Sequence, residues 1–156
     1  MPREFFYVNN GYTAPMEFMI EDINTFEEFE QRFSDEFLDA DDQIGNWLGE
    51  LIYKYDKEYA SISIAAGLDK SYVGNIVRGV KKNPSRDALI AICLAIGTTV
   101  EEVQYLLKYA GHSPLYVRRK RDVIIWFGFM KHKKRYDVDI DLYVRGFKPL
   151  GRSVEK

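Results

Sequence analysis

The sequence predicts an all-α fold: a five-helix bundle with an acidic N-terminal extension and two further C-terminal helices. Three observations carry this expectation. Apolar residues recur at the 3.6-residue helical period through most of the chain after residue 25. Capping residues and terminal glycines alternate at helix length between residues 58 and 111. The turns between these signals are short, as in a packed helical domain.

Residues 1–24 hold two short apolar runs, EFFYV and MEFMI, around Asn10-Gly11. That dipeptide favours a tight turn, so a small hairpin is expected. From 25 to 38, Phe26, Phe29, Phe33 and Phe37 form a helical stripe beside Leu38, and Thr25 with Glu28 makes a capping box. The other positions are mostly acidic and face water. Ile44, Trp47, Leu48, Leu51, Ile52 and Tyr55 predict a helix over 43–57, capped by Asp41 or Asp42. SISIAAG is a short helix stopped by Gly67. Residues 70–78 form another, capped by Asp69 and ended by Gly79, and VKKNP follows as a basic loop. Ser85 caps DALIAICLAIG, which Gly97 terminates. Thr99 and Glu102 make a second capping box for VEEVQYLLKYA, which ends at Gly111.

In the tail, DVIIWFGFM belongs to a helix over 119–131. Val138, Ile140, Leu142 and Val144 alternate with other residues, which by itself reads as a strand. However, VQYLLKYAGHSPL (103–115) aligns without gaps on VDIDLYVRGFKPL (138–150), sharing Val, Leu, Gly, Pro and Leu at a period of 35. The first copy is strongly helical, so a helix is expected over 137–145. The chain divides into an acidic extension (1–42), a central bundle (43–111) and a basic helical extension (112–156).

The 156 residues are 46% apolar and 29% charged, a composition that builds a core. The net charge of -2 hides a split: residues 1–50 carry about -11 and residues 51–156 about +9. One cysteine and two histidines rule out a disulfide framework, a Cys-based zinc site and a multi-His metal centre. No apolar run approaches eighteen residues and the start lacks a signal peptide, so a cytoplasmic protein with no membrane partner is expected. Cys93 reads as a core residue and His112 as a surface turn residue. Asp137, Asp139 and Asp141 would share a face, and hold Mg²⁺, on a strand; on a helix they fan out into solvent. Asp39, Asp41, Gln43 and Glu50 echo a calcium loop, but Ile44 stands where glycine is needed. With no nucleophile–base motif, the expectation is no enzyme, no metal and no cofactor.

The informative constellation is residues 59–79, YASISIAAGLDKSYVGNIVRG. A short helix carries Ile62 and Ala66, Gly67 permits a tight turn, and Leu68 packs beneath it. The second helix buries Val73, Ile76 and Val77 and exposes Lys70, Ser71, Gly74, Asn75 and Arg78. That is the physical description of a helix-turn-helix whose small, polar, basic face suits a major groove.

With these residues the sequence resembles the lambda-repressor-like, Cro-type helix-turn-helix family of bacterial and phage regulators. The match runs over about 65 positions: Leu51-Ile52, Ile62, Ala66-Gly67-Leu68, Ser71-Tyr72-Val73, Ile76, Gly79, Asn83-Pro84-Ser85, Leu89, Ile92, Ala95-Ile96-Gly97, Val103 and Leu106-Leu107. The resemblance implies a transcriptional regulator, such as a repressor, binding double-stranded DNA as a homodimer. By position it assigns base reading to Lys70, Ser71, Tyr72 and Asn75. It assigns phosphate binding to Tyr59, Arg78, Lys81, Lys82 and Arg86. Ser63 departs from the pattern, standing where the family usually has alanine. Gly74 sits mid-helix at a cost of roughly 0.5–1 kcal/mol. Glu58 and Asp69 put negative charge beside the expected phosphates.

Two basic clusters form a secondary patch. Arg118, Arg119, Lys120 and Arg121 lie at a helix N-terminus, where cations are unfavourable, and call for an acidic counterpart: DNA, a dimer partner or the acidic segment 17–42. Lys131, Lys133, Lys134 and Arg135 suit a helix C-terminus. Between them Val123, Ile124, Trp126, Phe127 and Met130 are expected to cover the bundle core, with Ile125 and Phe129 broadening the face toward dimer packing. A second functional reading makes the chain a protein-interaction or inhibitor module, with carboxylates 17–42 (net charge about -10) mimicking a phosphate backbone for a protein partner.

Overall fold

The computed structural model describes residues 23–33 and 43–151. The described residues are helical throughout, with eight helices and no strand among them. The chain splits into two compact units, Met1–Asp41 and Asp42–Lys156. The expected N-terminal hairpin and the Asp41 or Asp42 cap lie outside the described residues.

In the first unit, α1 (Phe26–Arg32) begins where expected: the Thr25 hydroxyl accepts from the Glu28 N–H at 3.1 Å. Phe29 and Phe33 lie with ring centroids 4.7 Å apart, on one stripe, while Glu27, Glu28 and Glu30 are exposed.

In the second unit, α2 (Gln43–Lys54), α3 (Tyr59–Ala65), α4 (Tyr72–Val77), α5 (Arg86–Ile96) and α6 (Val100–Tyr109) follow in close succession. α5 is apolar all round, so burial on every side is its stable state. Residues 88–94 and Ile96 are all buried, and α5 packs against α3 and α6. The Ser85 hydroxyl caps it at the Ala88 N–H (3.1 Å) and Gly97 ends it at φ +89°. The Thr99–Glu102 capping box opens α6 with both reciprocal bonds in place. Glu102 also reaches α2, accepting from Lys54 Nζ at 2.6 Å and from the hydroxyl of Tyr55. Burial raises the Glu102 pKa, but the bonds from Lys54, Tyr55 and the Thr99 N–H outweigh it, and the carboxyl is held below its usual range. Cys93 is a core residue whose thiol burial pushes up to about 12.

α7 (Lys120–Met130) and α8 (Arg135–Val144) form a hairpin on the same unit, and the helical reading of 137–145 holds. The 35-residue repeat is longer than the sequence comparison indicated. Residues 86–115 superpose in sequence on 121–150, adding Arg86-Asp87 on Arg121-Asp122 and Ile90 on Ile125. The local devices repeat as well. Gln104 Oε1 accepts from the Leu115 N–H at 2.7 Å; at the matching place Asp139 Oδ1 accepts from the Leu150 N–H at 2.6 Å. Arg86 Nε donates to the Ser113 carbonyl, and Arg121 Nε to that of Lys148. Gly111 and Gly146 end α6 and α8 at φ +80° and +81°. The two hairpins also exchange partners: Arg86 forks onto Asp122, Arg121 forks onto Asp87, α5 packs on α8 and α6 on α7. Such reciprocity is the mark of an isologous pair, here within one chain.

Several expectations need correction. The core face of α7 is not Val123, Ile124, Trp126, Phe127 and Met130. It is Asp122, Ile125, Gly128 and Phe129, and Phe127 and Met130 are about half exposed at 51% and 53%. Gly128 sets this register, because a Cβ there would sit 2.5 Å from Val138 of α8. Asp139 is buried rather than solvated, bound by Arg135 (2.7 Å) and by the N–H groups of Leu150 and Gly151. Asp141 pairs with Lys133 at 2.6 Å. His112 is a half-buried residue just after the turn that ends α6, and its Nε2 lies 2.9 Å from the Pro84 carbonyl, which requires the hydrogen on Nε2.

Candidate nucleic-acid interface

α4 is short, and its placement depends on two neighbours. α2 approaches it at Gly45, where a Cβ would lie 2.7 Å from the Ile76 carbonyl oxygen and 3.0 Å from that of Val77. Any side chain at 45 would push the two backbones apart. α3 holds the other side through Ser63, which is fully buried. Its hydroxyl donates to the Tyr59 carbonyl one turn back (2.9 Å) and accepts from the Val73 N–H of α4 (3.1 Å). The serine that departs from the family pattern thereby satisfies one of the orphan amides at the start of α4. The cap expected at Asp69 is instead Ser71, which makes no side-chain cap bond. A turn closed by the Tyr72 N–H on the Asp69 carbonyl (2.9 Å) precedes the helix, so α4 starts two residues later than its pattern indicated.

Lys70 and Ser71 are exposed in that turn. Tyr72 is half-buried, with Lys81 Nζ 5.0 Å from its ring centroid, a cation–π distance. Asn75 is half-buried, and its Oδ1 accepts from Arg78 at 2.6 Å. Gly74 is buried, not exposed: the Arg78 guanidinium folds over it, 2.9 Å from where a Cβ would be. Tyr59 opens α3 and is 39% exposed. Lys82 is exposed and Lys81 half-buried in the loop after α4, whose end is tied down at Pro84 by His112. Glu58 and Asp69 are exposed close by in sequence.

Arg86 sits apart from this group in role. Its guanidinium donates to Ser113, Pro114 and both oxygens of Asp122, clamping the two hairpins together. The secondary patch is likewise divided. Arg121, Lys133 and Arg135 pair with Asp87, Asp141 and Asp139, whereas Arg118, Arg119, Lys120, Lys131 and Lys134 are exposed. The unfavourable cation at the start of α7 thus has an acidic counterpart, Asp87, inside the fold. Arg135 also donates to the Ala65 carbonyl at the end of α3, so α8 braces the turn that leads to α4. Sequence reasoning missed Gly45 and Asp122, and placed Arg135 at a helix end without its partners Asp139 and Ala65. The signal for Asp122 was the repeat, whose Arg-Asp pairs recur at 86–87 and 121–122.

Among the described residues, no three of His, Cys, Asp and Glu converge as metal ligands would. No described helix is long and apolar enough to cross a membrane. Comparison with protein-family models, curated proteins and solved structures finds no match to the chain.

Proposed function

We propose that residues 43–111 form a lambda-repressor-like helix-turn-helix and that the protein is a sequence-specific, DNA-binding transcriptional regulator acting as a homodimer. The observation that carries this reading is the exposed start of α4, bordered by cations and clamped to α3 through Ser63. A rigid pair of helices is what fixes a reading helix in the major groove. Lys70 donates to guanine, and Ser71 and Tyr72 contact neighbouring base edges. Asn75 pairs with adenine only when its Oδ1 is released by Arg78. Arg78 then turns to a phosphate, so the two residues engage DNA together. Tyr59, Lys81 and Lys82 supply further phosphate contacts, while Arg86 serves the interior.

A selection from random duplex DNA with the full chain, followed by binding titrations, tests this. An enriched two-fold motif is expected, with affinity falling by about three decades between about 50 and 200 mM salt. Lys70→Ala and Asn75→Ala should relax sequence preference by about 1–3 kcal/mol, while Lys82→Ala weakens all sequences alike. No enriched motif, together with no effect of either class of change, would end this reading.

A further inference from the structure

α7 presents to solvent the face that its sequence pattern had assigned to the core. Two adjoining hollows of about 560 and 440 Å³ run along it and share Val123, Ile124 and Arg145. Val117 and Phe147 extend the apolar floor at one end and Phe127 at the other; Val117 is 60% exposed. Five cations stand around this floor: Arg118, Lys120, Lys131, Lys133 and Arg145. The lining holds one carboxylate, Asp141, which is already paired with Lys133. The other four cations are exposed. An exposed apolar floor of this kind marks an interaction site.

We propose that this groove docks an acidic amphipathic helix of a partner protein, one that inserts aromatic side chains between flanking carboxylates. The charge and the shape choose this occupant together. A nucleic-acid backbone would satisfy the cations and leave Val123, Ile124 and Phe127 uncovered. An amphipathic helix meets both demands, with anchors at i, i+3, i+4 and i+7 entering the hollows and carboxylates reaching the rim. The site uses none of the α3 and α4 residues given DNA contacts in the proposed function and stands independently of that reading.

The probe is a fluorescein-labelled synthetic peptide of residues 23–38 of this chain, which has the required chemistry: Phe26, Phe29, Phe33 and Phe37 among five carboxylates. It is titrated with the full-length protein and followed by fluorescence anisotropy. Saturable binding is expected, weakened at least about tenfold by the double charge reversal Arg118→Glu/Arg145→Glu. A peptide with its four phenylalanines changed to serine should lose binding to a similar degree. Both protein positions are exposed, and circular dichroism verifies that the double variant is folded. Three results would overturn the proposal: no saturable binding, equal binding of the serine peptide, or full affinity in the double variant. Ready displacement of the peptide by random duplex DNA would assign the cations to nucleic acid and overturn it equally.

Discussion

Ser63 ties α4 to α3 from a fully buried position. A buried hydroxyl is tolerated where it both donates and accepts, and Ser63 does both, to Tyr59 and from Val73. Ser63→Ala strands a buried amide, so a loss of about 1–3 kcal/mol is expected in urea unfolding. The position was recognisable in the sequence as a departure from the pattern it resembles. Its second bond was not legible, because it joins residues on two different helices. Glu102 offers a pH test at the same scale. Its folded pKa is depressed, so its contribution is fully present above the unfolded value of about 4.3 and is lost as pH falls through the lower folded value. The stability gap between the wild type and Glu102→Gln, from urea midpoints, should therefore be wide at neutral pH and narrow toward pH 3 (roughly). A gap that does not change with pH would mean the charge is not what Glu102 contributes.

At the scale of elements, close approach and exchanged ion pairs set the geometry. Gly45→Ala brings a Cβ against the backbone of α4. A cost of about 1–3 kcal/mol is expected from such overpacking, measurable as a lower unfolding midpoint. The two Arg–Asp clamps are alike in sequence but differ in burial. The side chains of Arg86 and Asp122 are 20% and 5% exposed, those of Arg121 and Asp87 22% and 26%. Asp122 also accepts from the Tyr116 N–H at 3.0 Å. Asp122→Ala should therefore cost about 3–5 kcal/mol, as for a broken buried pair, and Asp87→Ala only about 1 kcal/mol. Equal losses would show that burial does not separate the clamps. The helices, their glycine stops and the caps at Thr25, Ser85 and Thr99 were legible, since capping is settled within four residues. The face of α7 was not. VIIWFGFM is apolar on nearly every side, so periodicity left its inward register open. The contact of Gly128 with Val138 chose it.

Across the whole molecule, opposite charge is concentrated in different lengths of chain, about -11 before residue 51 and +9 after it. In the described second unit part of the positive charge is structural, with Lys54, Arg86, Arg121, Lys133 and Arg135 in ion pairs. Among the cations left exposed, Lys70, Arg78 and Lys82 form one group around α4, and Arg118, Lys120, Lys131 and Arg145 another along α7. If the two groups serve different ligands, Lys82→Ala should reduce the slope of log affinity against log salt for DNA by about one, and Arg145→Glu should leave that slope unchanged. A matching loss of slope in both variants would merge the two surfaces into one. The all-helical class, the sites of the turns and the C-terminal part of a 35-residue repeat follow from local order along the chain, because period, caps and glycines act over one or two turns of helix. Which charges face inward, which side of α7 meets water and how one hairpin clasps its copy depend on residues tens of positions apart. Those choices turn on desolvation and close packing, which exist only once the helices meet.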